Sequence, residues 1–125
     1  CVDEYKTESN KELFMKKNGK YMNDDFTHEQ NLIISKKDTN ILLCGCAHRG
    51  IVNIMDTCIQ HIHKNPDVCI GGFHLYNPVN KKTEKIELID AIASRLCLYD
   101  TKFYTCHCTG IPVYNLLKKK MPGSV

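Results

Sequence analysis

Hydrophobic positions along this chain follow two periods, and the change between them marks out the elements. Between Leu13 and Met22 two short strand-like runs flank Asn18-Gly19, a pair suited to a turn with positive φ, so a peripheral β-hairpin is expected there. The runs Asn31 to Ser35 and Asn40 to Cys46 predict two further strands across the polar turn Lys36-Lys37-Asp38-Thr39, the second more apolar and more central. From Gly50 the spacing becomes helical through Ile51, Ile54, Met55, Cys58, Ile59 and Ile62, and it stops at Asn65-Pro66. Val68-Cys69-Ile70 reads as a short apolar strand ended by Gly71-Gly72, which makes a strand-helix-strand crossover with parallel strands. After a polar loop with Pro78, the positions Ile86, Ile89, Ile92, Ala93 and Leu96 predict a second helix from near Thr83. Lys102 to Cys106 predicts the next strand. Thr109 is then placed to cap a last helix that tolerates Pro112 in its first turn and buries Val113, Leu116 and Leu117. The expected fold class is α/β, with β-α-β-α-β-α order after the β-hairpin.

Composition narrows the class without deciding it. A chain of 125 residues supports one domain with a real core. Its 42% hydrophobic and 25% charged residues are those of an ordinary globular protein, and no apolar run approaches the roughly 20 residues of a bilayer span. The net charge of +3 comes from scattered groups such as Lys16-Lys17, Lys36-Lys37 and Lys118-Lys119-Lys120 with little aromatic interleaving, which reads as a solvated surface and not as a nucleic-acid footprint. Cys1 stands first in place of Met, with no leader-like segment after it, so the expectation is a piece of a larger or processed protein. Six of the eight cysteines sit in apolar or strand-like surroundings, and no N-x-S/T acceptor occurs; free thiols in a reducing cytoplasm are expected.

In open α/β sheets ligands collect beyond the carboxyl ends of the strands, where loops and helix amino termini converge. Three consecutive predicted strands end in Cys46-Ala47-His48-Arg49-Gly50, Gly71-Gly72-Phe73-His74 and Cys106-His107-Cys108-Thr109-Gly110. One imidazole therefore arrives at each strand end, flanked by glycine that lets the backbone turn tightly, and His48, His74 and His107 together form a candidate transition-metal site. His61 and His63 point in different directions on a helix and read as surface residues. Arg49 and the amides opening the Gly50 helix are a candidate phosphate site, weighed equally against a solvent-exposed first-turn arginine. Asp25, His28 and Glu29 read as turn or capping residues before the rim.

The segments LLCGCAHRGIVNIM, CIGGFHL and FYTCHCTG, with the upstream DDFTHEQNLII, resemble the metallo-β-lactamase-fold superfamily, in its branch related to the dihydropterin–ribofuranosylaminobenzene phosphate synthases. The resemblance runs from about Asp24 onward. It implies that His48 is the ligand following the amino-terminal ligand motif and that His107 is the last histidine ligand. His74 stands where many relatives have an acidic residue that bridges two metals, so it is carried over as a ligand or a substrate contact. No HxHxDH motif occurs. The chain is therefore expected to form the second half of an αββα sandwich, residues 1–125 being the carboxyl-terminal part of one such domain with the final strand absent.

The resemblance implies metal-assisted chemistry on a small, phosphate-bearing substrate, with zinc as the first metal and iron or manganese as others. Half a sandwich leaves a sheet face uncovered, so the missing amino-terminal half or a second copy is the expected partner, and the chain alone is expected to bind metal weakly and turn over little. Synthase-type transferase chemistry and a non-catalytic metal-binding or interaction module are the competing functions. A separate possibility is a structural zinc on the Cys44/Cys46 and Cys106/Cys108 pairs, whose Cys-x-Cys spacing is not the usual one.

Overall fold

The computed structural model describes residues 3–125, so Cys1 lies outside it. Strands β1 (Phe14–Lys17) and β2 (Lys20–Asn23) form the expected antiparallel hairpin, with Asn18 and Gly19 at φ 51° and 78° in its turn. Strand β3 (Asn31–Lys36) pairs antiparallel with β4 (Thr39–Cys44), and helix α1 (Ile51–Ile62) carries the chain to β5 (Val68–Gly71), which lies parallel to β4. A two-residue ribbon, β6 (Tyr76–Asn77) against β7 (Lys82–Thr83), precedes helix α2 (Ile86–Leu96). Strand β8 (Lys102–Thr105) runs parallel to β5, and helix α3 (Ile111–Lys120) follows. The main sheet has the order β3-β4-β5-β8.

Register explains where the core lies. Ile33, Leu42, Cys69 and Phe103 are successive partners in one row across the sheet, and Leu42, Cys69 and Phe103 are buried. Ile51 and Met55 of α1, Ile89 and Ile92 of α2, and Val113 and Leu117 of α3 join them in one cluster. Each such side chain contributes roughly 1.5–3 kcal/mol on burial. The alternate row, Leu32, Leu43, Ile70 and Tyr104, points to the other face, where Leu32 is 56% and Tyr104 55% exposed. Helices α1, α2 and α3 thus cover one side of an apolar sheet, and among the described residues the second side is open.

Several boundaries differ from the sequence reading by a residue or more. β4 ends at Cys44, because Gly45 and Cys46 already form the bend toward α1. α2 begins at Ile86 and not near Thr83: Lys82 and Thr83 pair with β6, and the Glu84 amide donates to the Leu75 carbonyl at 3.0 Å. Thr109 does not cap α3. Gly110, at φ 71°, occupies that position, while the buried Thr109 hydroxyl accepts the Phe73 amide at 3.0 Å and meets the Thr105 hydroxyl. Pro112 does sit in the first turn of α3, and Val113 and Leu117 are buried.

Candidate metal centre

The rim is built where β4, β5 and β8 end. The Gly72 amide donates to the Gly45 carbonyl at 2.8 Å, and a Cβ on Gly71 would collide with the Cys44 carbonyl oxygen, so two glycines let the strand ends close up. Ala47, His74 and His107 each adopt left-handed backbone, at φ 52°, 50° and 50°. Non-glycine residues take that conformation at a cost, and its clustering at one rim marks a site where local strain is held by the surrounding fold.

His48 is held on three sides. The Glu29 carboxylate accepts the amides of His48 and Arg49 at 2.7 and 3.0 Å, which fixes the turn into α1. Its ring stacks on Phe26 with centroids 4.4 Å apart and planes 4° from parallel. The Asn10 side-chain amide donates to the His48 carbonyl at 2.6 Å, and His48 Nδ1 lies 3.2 Å from Asn10 Oδ1. With that oxygen accepting, Nδ1 carries the proton and Nε2 keeps its lone pair, the arrangement in which an imidazole ligates metal. Asn10 belongs to a 3-10 segment (Glu8–Glu12) that Glu84 anchors by accepting the amides of Glu8 and Ser9 at 3.1 and 3.0 Å.

His74 lies with its ring centroid 4.1 Å from that of His48. Its amide donates to Cys108 Sγ at 3.2 Å, and both ring nitrogens are buried without a hydrogen-bond partner among the described residues. Burial, then the neighbouring His48, pushes its pKa down to about 4, so the ring is neutral at pH 7 with a free donor. Burial also lowers the pKa of His48, with Glu29 and Asp24 opposing. His107 sits in the 3-10 turn after β8, more exposed, with Nδ1 3.5 Å from Cys46 Sγ. All three histidines line one cleft of about 690 Å³, together with Cys46, Tyr76 and Cys108. The buried His74 imidazole, without a partner among the described residues, fits a metal ion by the chemistry of the donor set.

No model of a known protein family matches the chain. The 7,8-dihydropterin-6-methyl-4-(β-D-ribofuranosyl)-aminobenzene-5′-phosphate synthase of Methanocaldococcus jannaschii is 31% identical over 110 residues, which are 86% of this chain and 35% of that protein. The crystal structure of a metal-dependent hydrolase of the β-lactamase superfamily superposes with a TM-score of 0.76 at 28% identity, covering 88% of this chain and 41% of that one. The chain is a relative of the metallo-β-lactamase superfamily. It spans about a third of the curated synthase and two fifths of the solved hydrolase. Its α/β order and its sheet are those of a metallo-β-lactamase-like fold in part.

Within this relative of the superfamily, the other candidates go elsewhere. Arg49 is not brought to the histidine cleft; it lines a separate one with Asn31, Leu42, Asn53 and His61. Of the amides at the start of α1, that of Gly50 donates to the Ala47 carbonyl at 2.9 Å. Asp25 closes its own turn onto the Thr27 amide at 3.0 Å, and His61 and His63 are exposed. The thiols also regroup: Cys44 Sγ lies 3.8 Å from Cys69 Sγ across β4 and β5, and Cys106 is exposed, so the four-cysteine arrangement does not assemble. Sequence reasoning missed Asn10 and Phe26. No local pattern marks either, because their partner His48 is far away in the chain. No helix among the described residues is long and apolar enough to cross a membrane.

Proposed function

We propose that His48, His74 and His107 hold a divalent metal ion and that the chain contributes this strand-end site to a hydrolase-type enzyme acting on a small, phosphate-bearing substrate. The observation that carries the reading is His74, whose two ring nitrogens are buried in the cleft beside His48 with no partner among the described residues. A neutral imidazole in that position is a ligand in waiting, since leaving it unpaired costs desolvation energy. Zinc suits three nitrogen donors with an open position, and iron and manganese accept the same set when carboxylates join. Bound there, the ion supplies a Lewis acid for a phosphoryl or carbonyl oxygen. Asn10 sets the His48 tautomer, Phe26 shields one face of its ring from water, and the cleft wall at Tyr76 and Asn77 is placed to contact substrate.

The substrate class rests on the archaeal relative, whose name is that of a phosphate-bearing pterin synthase. That name also favours a second reading, transferase-type synthase chemistry at the same cleft. The open sheet row of Leu32, Leu43, Ile70 and Tyr104 supports a partner that covers it, either an amino-terminal half carrying the HxHxDH ligands or a second copy. Seven described cysteines are free thiols, which supports a reducing cytoplasm.

Zinc titration against a chromophoric chelator, in a Cys46→Ser background that keeps all three histidines and removes a cleft thiol, tests the site. Replacing His48, His74 or His107 with alanine is expected to weaken binding at least about tenfold in each case. Wild-type affinity in His74→Ala would overturn the reading. Because the chain alone is expected to turn over little, hydrolysis of a chromogenic phosphoester is tested with the zinc-loaded chain paired with the HxHxDH-bearing half of a relative: turnover supports the hydrolase assignment, and stoichiometric zinc without turnover supports the non-catalytic metal-binding module.

A further inference from the structure

The three-histidine cleft also holds a second donor group, whose two cysteines the proposed function does not use. Cys46 Sγ, Cys108 Sγ and a ring nitrogen of His107 lie within 4.8 Å of one another. We propose that these three residues bind a thiophilic divalent ion, such as zinc or cadmium, in a Cys2His site whose fourth position opens into the cleft.

Ligand geometry is the first support. An ion with sulfur at about 2.3 Å and nitrogen at about 2.0 Å in tetrahedral array holds those two donors about 3.5 Å apart. Cys46 Sγ and His107 Nδ1 stand 3.5 Å apart. Cys108 Sγ, the third donor, lies within 4.8 Å of both. A second support is the environment of Cys108, whose sulfur accepts the His74 amide at 3.2 Å. That amide fixes the position of the sulfur; burial raises the Cys108 thiol pKa to about 12, so its proton leaves only when the ion binds. Gly72 supplies the space: a Cβ there would stand 2.5 Å from Cys108 Sγ. Binding balances as two thiol protons released to solvent for one ion bound.

A neutral imidazole has one free lone pair, so His107 serves one ion at a time. A thiophilic ion on the cysteines therefore draws His107 away from His48 and His74. This last consequence rests on the three-histidine reading; the cysteine site itself does not.

Titration of the full chain with cobalt and with cadmium under thiol-free reductant tests the site. A thiolate-to-metal charge-transfer band is expected to saturate at one equivalent in the wild type and in Cys44→Ser. Loss of the band, or at least about tenfold weaker binding, is expected in Cys46→Ser and Cys108→Ser. No charge-transfer band in the wild type, or a band of undiminished affinity in Cys46→Ser, overturns the proposal. Cys46 lies at the cleft and outside the core cluster. It therefore decides the matter if Cys108→Ser does not fold, with far-ultraviolet circular dichroism as the control. Alkylation mapping adds an independent arm: cadmium is expected to protect Cys46, and unchanged Cys46 labelling overturns the site. An all-imidazole site gives no thiolate band, so failure of the three-histidine reading leaves these results untouched, and the reverse also holds.

Discussion

Glu29 gives the sharpest test of how the rim is held. Its carboxylate accepts the amides of His48 and Arg49 at 2.7 and 3.0 Å, bridging the segment before β3 to the turn into α1. Hydrogen bonds to a charged acceptor stabilise by about 1.5–3 kcal/mol each when well buried. Glu29 is half-buried and water reaches the amides once the carboxylate is gone, so about 1 kcal/mol each, about 2 in total, is the expected loss in Glu29→Ala. At an unfolding entropy of about 2.1 cal/mol/K per residue, 125 residues give about 0.26 kcal/mol/K. Tm should therefore fall by about 8 °C, read by circular dichroism or calorimetry. Glu29→Gln keeps one acceptor oxygen and should lose about half as much. The same substitution removes a charge that holds the His48 pKa up against burial, so the His48 titration followed by NMR should move further down. A Glu29→Ala protein melting within about 2 °C of the wild type would refute the role of this carboxylate in fixing the turn.

Acid should destabilise the protein through its buried imidazoles. The folded pKa of His74, about 4, lies below the ordinary histidine value, so the unfolded chain binds more protons between the two; stability is full above about pH 6.5 and falls as pH drops toward 4, and His74→Phe should flatten that slope in urea melts. Tyr99→Phe removes a 2.5 Å hydrogen bond to Asp56 that ties the end of α2 to α1, and should cost about 1 kcal/mol, measured as a lower urea midpoint at constant m-value. Gly71→Ala drives a Cβ into the Cys44 carbonyl, a backbone atom that cannot yield, and should cost about 3 kcal/mol or more, seen as a large fall in Tm or loss of soluble protein. Leu32→Asp on the open sheet face should leave Tm nearly unchanged, because that side chain is 56% exposed, and should abolish any self-association detected by sedimentation.

Period and punctuation made most of the fold legible. Ile51 through Ile62 announces α1 because a helix packed on one side of a sheet needs an apolar stripe at that spacing, and Asn18-Gly19 announces its hairpin because few residues accept two positive φ angles in succession. The ribbon of β6 and β7 was illegible, because two residues per strand leave no period. At the rim, spacing after strand ends located His48, His74 and His107, which the fold brings into one cleft. Arg49 shared the same sequence address but faces another cleft, because side-chain direction at a helix start depends on the turn before it, and here Glu29 sets that turn. Which cysteine meets which was decided by strand register, which joins Cys44 to Cys69 and leaves Cys46 to His107.

The parallel connections have a kinetic corollary. Each rim histidine follows a different member of β4, β5 and β8, and those strands pair only after the α1 and α2 crossovers have closed. Closing such long loops is entropically costly and comes late, so the ligand set does not exist in any partly folded chain that lacks one of the three strands. An ion bound at the proposed site would then be a receipt for completed folding, slowing escape from the native state without helping the chain to reach it.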